Sequence, residues 1–582
     1  MNIHEALRLK LQELIYPSGA QAVDERNSIY LGTTRLKDVP AHVDEFFRLW
    51  FVKFNNQTKW FWLLREFIEW WWKDRRFVSF AEYQEVYKDK MVKDGKDIQT
   101  RYPVYRLLGI ASEKHRQRFI NSYPNRLEGY FHLMHQKNKA LWELFHNRHF
   151  IRLPYSEAEK HTYILGGTGS GKSELLKHLI LQDVGKGEKG VILIEPNGDL
   201  SEQIARQHGV PPERLVYIDC SLPPCTPSIN PFELMDTSKD LELEKQSQII
   251  YLALKQIFEG EGQPLTLQMQ SIVEPCLEIV ARQKGTLKDL QRFMVNGLNE
   301  DLMEAGKTSP KHKEFFERKF NESNIAPSRQ GIYQKLMSLL NMSTYSGFFC
   351  GKTTIDLYQA IREKKVIIFN LSKGKLGTVA SVFIGKMIVA MIQNIIFQRA
   401  LVKEEERTPL AIYIDEFQDF INESAEEMFV QGRKYKVSLT VASQVIGQKM
   451  TAEMTKIVLG NTNIKFVGMN GYDTLRVMSK ETYTEVEELK TLNVGEFFCR
   501  MGNGQGFILK APTKHLKYMT CKNESEWVEM QKSQIRRYYK ERELHAPTPA
   551  PPPKNKETEE KERKEEPESQ RGRQKRFTPK YG

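Results

Sequence analysis

The sequence predicts an α/β protein in which helices cover both faces of a mostly parallel sheet. Three observations support this fold class. After Thr162, short apolar segments alternate with helical ones, a glycine-rich loop joins the first of these segments to a helix, and a strand-free stretch interrupts the series. The 582 residues, of which 40% are hydrophobic and 27% charged, exceed the usual size of one domain. This composition excludes a wholly disordered or fibrous protein.

Residues 1–150 are predicted to form a helical, aromatic-rich N-terminal region. Six of the eight Trp residues lie between Trp50 and Trp72, where apolar side chains recur at the spacing of one helix face. One interpretation is a small helical core that contains large side chains. The other is an interfacial segment, residues 46–77, that contacts a membrane or a membrane partner.

The core of the protein is predicted from seven apolar segments that we interpret as strands. They begin at Tyr163 (YILGG), Gly190 (GVILIEP), Arg214 (RLVYID), Lys365 (KVIIFNL), Leu410 (LAIYIDE), Val437 (VSLTVAS) and Ile464 (IKFVGM). Most are continuous apolar runs, as is typical of parallel strands buried on both faces. They divide into a first core part over residues 151–235 and a second over residues 351–515.

Residues 236–350 are predicted to be an all-α insertion, since Leu, Gln, Lys and Glu recur there at helical spacing. The longest apolar run, Val379–Phe397, has Lys386 in its middle and therefore favours a buried core helix over a membrane span. Residues 516–582 are predicted to form a C-terminal helix and then a disordered tail, which is rich in proline and charge.

The net charge of +12 lies mainly on the flanking regions. Residues 1–150 carry +7 and residues 546–582 carry +3, so the residues between them carry only +2. The charge is therefore no evidence for what the core binds. It indicates instead that the flanks contact DNA, anionic lipid or an acidic partner.

The strongest motif is Gly166–Ser173, which matches the phosphate-binding pattern G-x-x-x-x-G-K-[ST] between a strand and a helix. Its glycines let backbone N–H groups surround a phosphate, and the helix N-terminus adds a partial positive charge. Lys172 is predicted to reach the β- and γ-phosphates, and the Ser173 hydroxyl to bind Mg²⁺. The candidate nucleotide-binding residues are Gly166, Gly167, Thr168, Gly169, Ser170, Gly171, Lys172, Ser173 and Glu174.

A second motif is the pair of acids that ends the apolar strand at Leu410. Asp415 is predicted to bind the Mg²⁺ shell, and Glu416 to polarise the attacking water. Many strands end in Asp-Glu by chance, but together with the phosphate loop the pair predicts a Mg²⁺-dependent ATPase. The expected cofactors are ATP and Mg²⁺.

Several segments occur in the same order as in the TraG/TraD-type coupling proteins of type IV secretion, which belong to the FtsK–HerA group of DNA-pumping ATPases. The chain resembles this family over about residues 160–515. The segments are GVILIEPNGDL (Gly190–Leu200), SINPFEL (Ser228–Leu234), KVIIFNLSKGKLG (Lys365–Gly377), IDEFQDF (Ile414–Phe420), GRKYKVSLTVASQ (Gly432–Gln444) and GNTNIKFVGM (Gly460–Met469). The resemblance implies a RecA-like core and a hexameric ring. Glu195 stands where the family usually has Asp.

The resemblance also implies two further roles. Arg433 is expected to be an arginine finger that reaches the γ-phosphate of the neighbouring subunit, and Gln444 to sense the nucleotide at its strand end. Arg433 and Gln444 join Lys172 and Glu416 as the candidate catalytic residues.

Other basic residues are weaker candidates. Arg329 and Arg399 are alternative fingers. Lys373 and Lys375, in the SKGKLG loop, are candidate pore residues, and a solvated turn is the other interpretation of that loop.

The function implied by the resemblance is that of a conjugative coupling protein. It would deliver relaxase-bound DNA, single-stranded or alternatively duplex, to a transfer channel, with relaxase or channel proteins as partners. The expected location is the cytoplasm, with peripheral contact at the inner face of the cell membrane. Two alternatives are a HerA/FtsK-like cytoplasmic duplex-DNA translocase or packaging ATPase of a mobile element, and an NTP-gated adaptor for protein substrates.

Overall fold

The structure is a computed structural model that describes residues 28–35 and 148–541. Short gaps fall at 155–156, 158, 222–224, 234–239, 261, 263, 421–422, 448, 505 and 513–519. The aromatic segment 46–77 and the tail beyond residue 541 lie outside the described residues, so the predictions made for them stay predictions.

Eleven strands of the described chain form one sheet, in the order β2-β1-β12-β11-β10-β3-β9-β8-β4-β7-β5. The strands are β1 (Ser28–Thr34), β2 (His149–Pro154), β3 (Thr162–Leu165), β4 (Gly190–Glu195), β5 (Leu215–Asp219), β7 (Val366–Asn370), β8 (Leu410–Ile414), β9 (Val437–Ser443), β10 (Ile464–Val467), β11 (Glu496–Met501) and β12 (Phe507–Lys510). Two short strands, β6 (Cys225–Pro227) and β13 (Tyr539–Glu541), pair separately.

The seven strands from β10 to β5 in this order run parallel. Every residue of β4, β7 and β9 is buried, as expected for strands with helices on both faces. All seven strands predicted from the sequence are confirmed, and so is the α/β fold class. Parallel strands bring their carboxyl ends to one edge of the sheet, which is where ligands bind in such folds.

Sixteen α-helices are described. They are α1 (Lys172–Lys186), α2 (Asp199–Ala205), α3 (Asp240–Gly260), α4 (Leu267–Arg282), α5 (Leu287–Phe293), α6 (Glu300–Thr308), α7 (Ala326–Leu340), α8 (Ser343–Phe349), α9 (Leu357–Arg362), α10 (Lys373–Leu376), α11 (Thr378–Gln398), α12 (Glu423–Gln431), α13 (Ala452–Asn461), α14 (Tyr472–Thr482), α15 (Val486–Lys490) and α16 (Glu524–Tyr538).

Helix α11 contains the longest apolar run. The segment Thr378–Leu401 is long and apolar enough to cross a membrane, but 83% of its apolar window is buried inside the protein. The helix packs against α3 and α12, as a core helix does.

Between β6 and β7, the described part of the chain folds as helices and turns. Its centre is a group of aromatic rings, in which Phe293 stacks on Phe316 at 5.4 Å and Phe316 lies 5.6 Å from Phe320. Buried side chains connect this group without interruption to the apolar core beneath the sheet. Because the two regions share one core, the domain limits drawn from the sequence stay predictions.

Two strands next to the N-terminal region were not anticipated by the sequence. Strand β1 lies within the residues predicted to be helical, yet it pairs with β2 from Ser28↔Pro154 to Thr34↔His149, and with β12 at Thr33↔Lys510. A Cβ at Gly32 would lie 2.4 Å from the Lys510 carbonyl oxygen, so only glycine permits this approach. The two strands that flank residues 35–148 in the sequence are therefore neighbours in the sheet.

The last described segment covers the edge strand β5. Gln534 of α16 accepts a hydrogen bond from Tyr217 N at 2.9 Å, and the Tyr539 hydroxyl accepts one from Asp219 N at 2.7 Å. That hydroxyl also donates to Tyr217 O at 3.0 Å. Trp527 packs edge-on against the Tyr217 ring. Side chains thus satisfy backbone groups that an edge strand otherwise exposes.

Candidate nucleotide-hydrolysis site

The phosphate loop is held between the ends of β9 and β10, the two strands that flank β3. Gly166 N donates to Ser443 O at the end of β9 (3.2 Å), and Gly167 N donates to Met469 O beyond β10 (2.8 Å). Gly171 starts α1 with φ of 95°, in the left-handed region that favours glycine. The loop therefore leads from the buried strand β3 directly into the N-terminus of a 15-residue helix.

The loop surface is suited to bind a phosphate group. Thr168, Gly169 and Ser173 are exposed, and a Cβ built on Gly169 would find open space within 4 Å. The Ser170 hydroxyl is buried and has no hydrogen-bond partner. Free first-turn N–H groups at a helix N-terminus, with a serine hydroxyl beside them, fit a magnesium nucleoside triphosphate.

Lys172 lies between the two carboxylates predicted to join it. Its Nζ is 2.5 Å from Glu416 Oε1 and 2.9 Å from Asp415 Oδ1, and all three side chains are at most 7% exposed. Asp415 is anchored through its backbone N–H to Ile194 O at 3.0 Å. Residues 243 and 244 positions apart in the sequence thus meet at the carboxyl edge of the sheet.

Burial and charge shift the pKa values of these three groups. Burial raises the pKa of the Asp415 carboxyl above its ordinary value, an effect that the nearby Lys172 only partly offsets. Burial also acts to raise the pKa of Glu416, but the charge and hydrogen bond of Lys172 outweigh it, so the pKa is lowered. For Lys172, burial would lower the pKa, yet the two carboxylates together raise it. Burial and the opposite charges thus act against each other on all three groups.

Gln444 contacts both the acid and the phosphate loop. Its Nε2 donates to Glu416 Oε1 at 2.9 Å, and its Oε1 accepts from the Thr168 hydroxyl at 3.4 Å. Glu416 itself has a φ of 47°, a left-handed conformation that is uncommon for a residue with a side chain and that occurs at functional sites. An amide in this position can respond to what occupies the loop.

Two further residues in this site, Gln418 and Asn470, were not identified from the sequence, and Glu195 was noted there without a role. Gln418 Nε2 donates to Glu416 Oε2 at 2.6 Å, and Asn470 Nδ2 donates to Gln444 O at 2.6 Å. Glu195 accepts hydrogen bonds from the backbone N–H groups of Asn197 and Gly198, both at 2.7 Å. The position of Gln418, two residues after Glu416, could have indicated it as a site residue. No sequence pattern indicated Asn470.

The remaining candidate residues of the loop take different positions. The Glu174 carboxylate accepts from Lys177 at 2.9 Å, one turn along α1, and does not face Lys172 in the described contacts. The exposed Ser173 hydroxyl lies at the start of α1, next to Lys172. Ser173 keeps its predicted role as a Mg²⁺ ligand, while the role of Glu174 stays a prediction without a contact to support it.

Arg433 lies at the amino end of β9, whereas the phosphate loop lies at the carboxyl ends of the parallel strands. It is exposed in the 3₁₀ turn Gly432–Tyr435, before β9 begins, whereas Gln444 follows the end of β9. The seven residues of β9 span about 23 Å at the usual rise of a strand. Arg433 therefore does not reach the phosphate loop of its own subunit.

The weaker finger candidates are buried instead. Arg329 is 6% exposed and donates to Asn296 at 2.8 Å, and Arg399 is 4% exposed with a hydrogen bond to Thr408 O. A finger must extend from the surface, so the hypothesis that either one is a finger is wrong for this fold.

Comparisons with known proteins give one family match. Residues 151–392 match the model described as helicase HerA, central domain. None of the curated proteins matches the sequence significantly.

Several solved structures resemble the fold. The unbound bacterial conjugative coupling protein TrwB without its first 70 residues is 14% identical and aligns over 62% of this chain and 87% of its own, with a TM-score of 0.49. TrwB with ADP and Mg²⁺ is 14% identical over 64% and 89%, also with a TM-score of 0.49. VirB4 of Thermoanaerobacter pseudethanolicus is 17% identical over 61% and 91%, with a TM-score of 0.41.

The HerA match covers the phosphate loop, the strand β4 and the whole helical region that follows it. In the fold, β8 pairs with β4, and the carboxylates of Asp415 and Glu416, which follow β8, form ion pairs with Lys172 of the loop. Residues 151–392 are therefore similar to the central domain of HerA helicase, and together with the acidic end of β8 they supply the residue types with which P-loop ATPases bind ATP and Mg²⁺.

Proposed function

We propose that the chain hydrolyses ATP with Mg²⁺ and uses the energy to translocate DNA as a ring of six copies, serving as a conjugative coupling protein. The observation that carries the proposal is the triad of Lys172, Asp415 and Glu416, with Gln444 bonded to the same carboxylate that would act as base. This is the residue set that phosphoryl transfer to water requires.

Lys172 has two states in this mechanism. Without nucleotide its ammonium pairs with both carboxylates, and with ATP in the loop it turns to the β- and γ-phosphates. That move frees Asp415 to hold the Mg²⁺ shell together with the Ser173 hydroxyl. It also frees Glu416, whose pKa in the pair is lowered by Lys172, to become a stronger base.

Glu416 then accepts a proton from the attacking water as the water oxygen bonds to the γ-phosphorus. The bond from that phosphorus to the bridging oxygen of ADP breaks in the same step. Gln418 and Gln444 hold the two oxygens of Glu416 and so orient its free lone pairs. Gln444 also contacts Thr168 of the loop, which couples the base to the presence of phosphate.

The proposed ring follows from the position of Arg433. An exposed arginine that cannot reach its own phosphate loop suits a role in the site of a neighbouring copy, where its planar, permanently charged group stabilises the transition state. Each site is then complete only between two subunits, and a head-to-tail contact of this kind forms a ring when the rotation between neighbours closes after six copies.

The DNA substrate and the conjugative role rest on the resemblance of the motifs to coupling proteins. Relaxase and channel proteins are the proposed partners, and the proposed location is the cytoplasm with peripheral contact at the membrane. The HerA match favours one other candidate, a cytoplasmic translocase that acts on duplex DNA.

The test is ATPase activity of the full chain, measured with single-stranded DNA, duplex DNA or no DNA, alongside particle mass in solution. We expect strongest stimulation by single-stranded DNA and a particle of six subunits. Lys172→Ala, which should lack hydrolysis under all conditions, is the control for contaminating ATPase.

Each other outcome identifies a different function. Stimulation by duplex DNA alone would favour the translocase. Hydrolysis that no nucleic acid stimulates would overturn the DNA-motor proposal and favour the NTP-gated adaptor for protein substrates. A monomer with full activity would overturn the ring.

A further inference from the structure

A second ion cluster lies beside the hydrolysis site at the carboxyl edge of the sheet. The Asp419 carboxylate, 4% exposed, binds Lys373 Nζ at 2.5 Å through one oxygen and Lys449 Nζ at 2.6 Å through the other. We call these three residues the Asp419 cluster. Lys373 starts α10 after β7, Asp419 follows β8, and Lys449 follows β9. The cluster therefore joins the segments that follow three of the parallel strands.

The cluster is tied to the catalytic carboxylate by a short rigid turn. Asp419 ends the 3₁₀ turn Phe417–Asp419, and its N–H donates to Glu416 O at 2.9 Å. The loop after β9 is bonded to the same segment at both of its ends, because Gln444 donates to Glu416 and Lys449 donates to Asp419. Glu416 and the two lysines are therefore connected through one turn and one loop.

The lysines keep binding capacity on the surface. Their side chains are 27% and 57% exposed for Lys373 and Lys449, while the carboxylate between them is buried. An ammonium has three donors, and in the described contacts each lysine uses one of them on Asp419, so the others can bind a further acceptor. The neighbouring Lys375 is 51% exposed and lies 3.6 Å from the buried Asp219.

We propose that Lys373 and Lys449 contact the phosphate backbone of the translocated nucleic acid, and that Asp419 transmits the nucleotide state from Glu416 to them. This inference rests on the proposed function and deepens it by naming where the motor contacts DNA and how that contact is regulated. A pair of exposed cations on flexible stems suits a repeating line of phosphates, because it binds without reading the base sequence.

The buried aspartate gives the cluster its second property. It fixes the position of both ammonium groups, which would otherwise move freely on their long side chains. It also competes with phosphate for them, so the strength of DNA contact changes when the Glu416–Asp419 turn shifts.

The experiment measures two quantities on the full chain: affinity for a fluorescent single-stranded oligonucleotide at several salt concentrations, and the ratio of ATPase rates with and without that DNA. The variants are Lys373→Gln, Lys449→Gln and Asp419→Asn. Lys532→Gln, an exposed lysine on α16, is the matched control and should keep both quantities at parental values.

We expect each of the two Lys→Gln changes in the cluster to lower the slope of log affinity against log salt by about 0.7, the share of one phosphate contact. Asp419→Asn should retain or strengthen DNA binding, because the competing charge is gone, yet lose the stimulation of ATPase, with a ratio near one. A purely structural Asp419 would lower thermal stability without removing the stimulation.

Parental salt slopes in both lysine variants would overturn the contact, and full stimulation in Asp419→Asn would overturn the relay. If Asp419→Asn does not fold, Lys449→Gln tests both the DNA contact and the ATPase stimulation. Because the Lys449 side chain is largely exposed, its replacement should not prevent folding. The proposed function fails separately, when the parental protein itself neither binds DNA nor responds to it.

Discussion

At the scale of single residues, Lys172 pairs with the same carboxylates that hydrolysis requires. A buried ion pair left with one partner costs about 3–5 kcal/mol, so nucleotide must supply phosphate charge before the lysine leaves Asp415 and Glu416. Without nucleotide, the proposed catalytic base therefore stays paired with Lys172.

The role of Glu416 is tested by Glu416→Gln. The amide cannot accept the proton of water, so single-turnover hydrolysis should slow by a factor of about 10² to 10⁴ while ATP stays bound. Rapid-quench measurement of product, together with retention of labelled ATP on the protein, checks this. Hydrolysis at the parental rate would show that Glu416 is not the base. The control change Glu529→Gln, on the exposed face of α16, should leave the rate near the parental value.

His161 predicts the pH dependence of stability. It is fully buried, its Nδ1 accepts from Leu439 N at 3.0 Å, and burial lowers its pKa to about 4 from 6.5. The unfolded chain therefore binds this proton more readily, and stability falls as pH decreases from above 6.5 toward 4.

The predicted loss from this histidine is about 2 kcal/mol between pH 8 and pH 5. Urea unfolding at both pH values checks it, with His161→Gln as the comparison, since a glutamine oxygen can accept from Leu439 N. The pH-dependent loss should be smaller in the variant by that amount. Equal losses in the two proteins would contradict the assignment.

At the scale of elements, the sheet has two different edges. At one end, β2 pairs with β1 alone among the described strands. The side chain of Gln182 in α1 bonds to the Tyr30 backbone through both its donor and its acceptor. Helix α1, which starts at the phosphate loop, is therefore bonded to β1, the strand that precedes residues 35–148. At the other end, α16 covers β5.

Tyr539→Phe tests the cover over β5. The change keeps the ring but removes the hydroxyl that bonds to Asp219 N and Tyr217 O, which leaves buried backbone groups unpaired. We expect a loss of about 1–3 kcal/mol in the free energy of unfolding. Urea unfolding measures it, and Glu529→Ala on the exposed face of α16 is the control. A loss no larger than that of the control would contradict a structural role for this hydroxyl.

At the scale of the whole molecule, the proposed ring places Arg433 and the site that it would complete in different copies. Lys172→Ala should abolish hydrolysis by losing the phosphate contact, whereas Arg433→Ala should abolish it with nucleotide affinity near the parental value. Mixed particles contain interfaces in which an intact loop faces an intact arginine, and these should regain part of the activity. ATPase assays across mixing ratios measure this.

The control for that experiment mixes Lys172→Ala with Glu416→Gln, which lie in the same site and should show far less rescue. Restoration is predicted to peak at intermediate ratios of the first mixture. Complete absence of rescue, with mixed particles confirmed by mass, would count against Arg433 as a finger in trans.

Some features could be predicted because their signal is local. The seven parallel strands are continuous apolar runs, and the spacing of Gly166 to Ser173 reflects one loop, so both could be read directly from the sequence. Strand β1 was missed because its partners, β2 and β12, lie far along the chain. The position of Asn470 beside Gln444 likewise depends on the lateral pairing of β10, β3 and β9.

The sequence by itself determined the fold class, the phosphate loop and the acidic strand end, because burial and glycine geometry impose residue types on short segments. Only the tertiary structure decided that Lys172 lies between Asp415 and Glu416, that Arg433 lies at the far edge, and that Asp419 gathers two lysines. Those facts depend on which strands are neighbours. Neighbour order is set by packing the entire sheet, and no short segment contains that information.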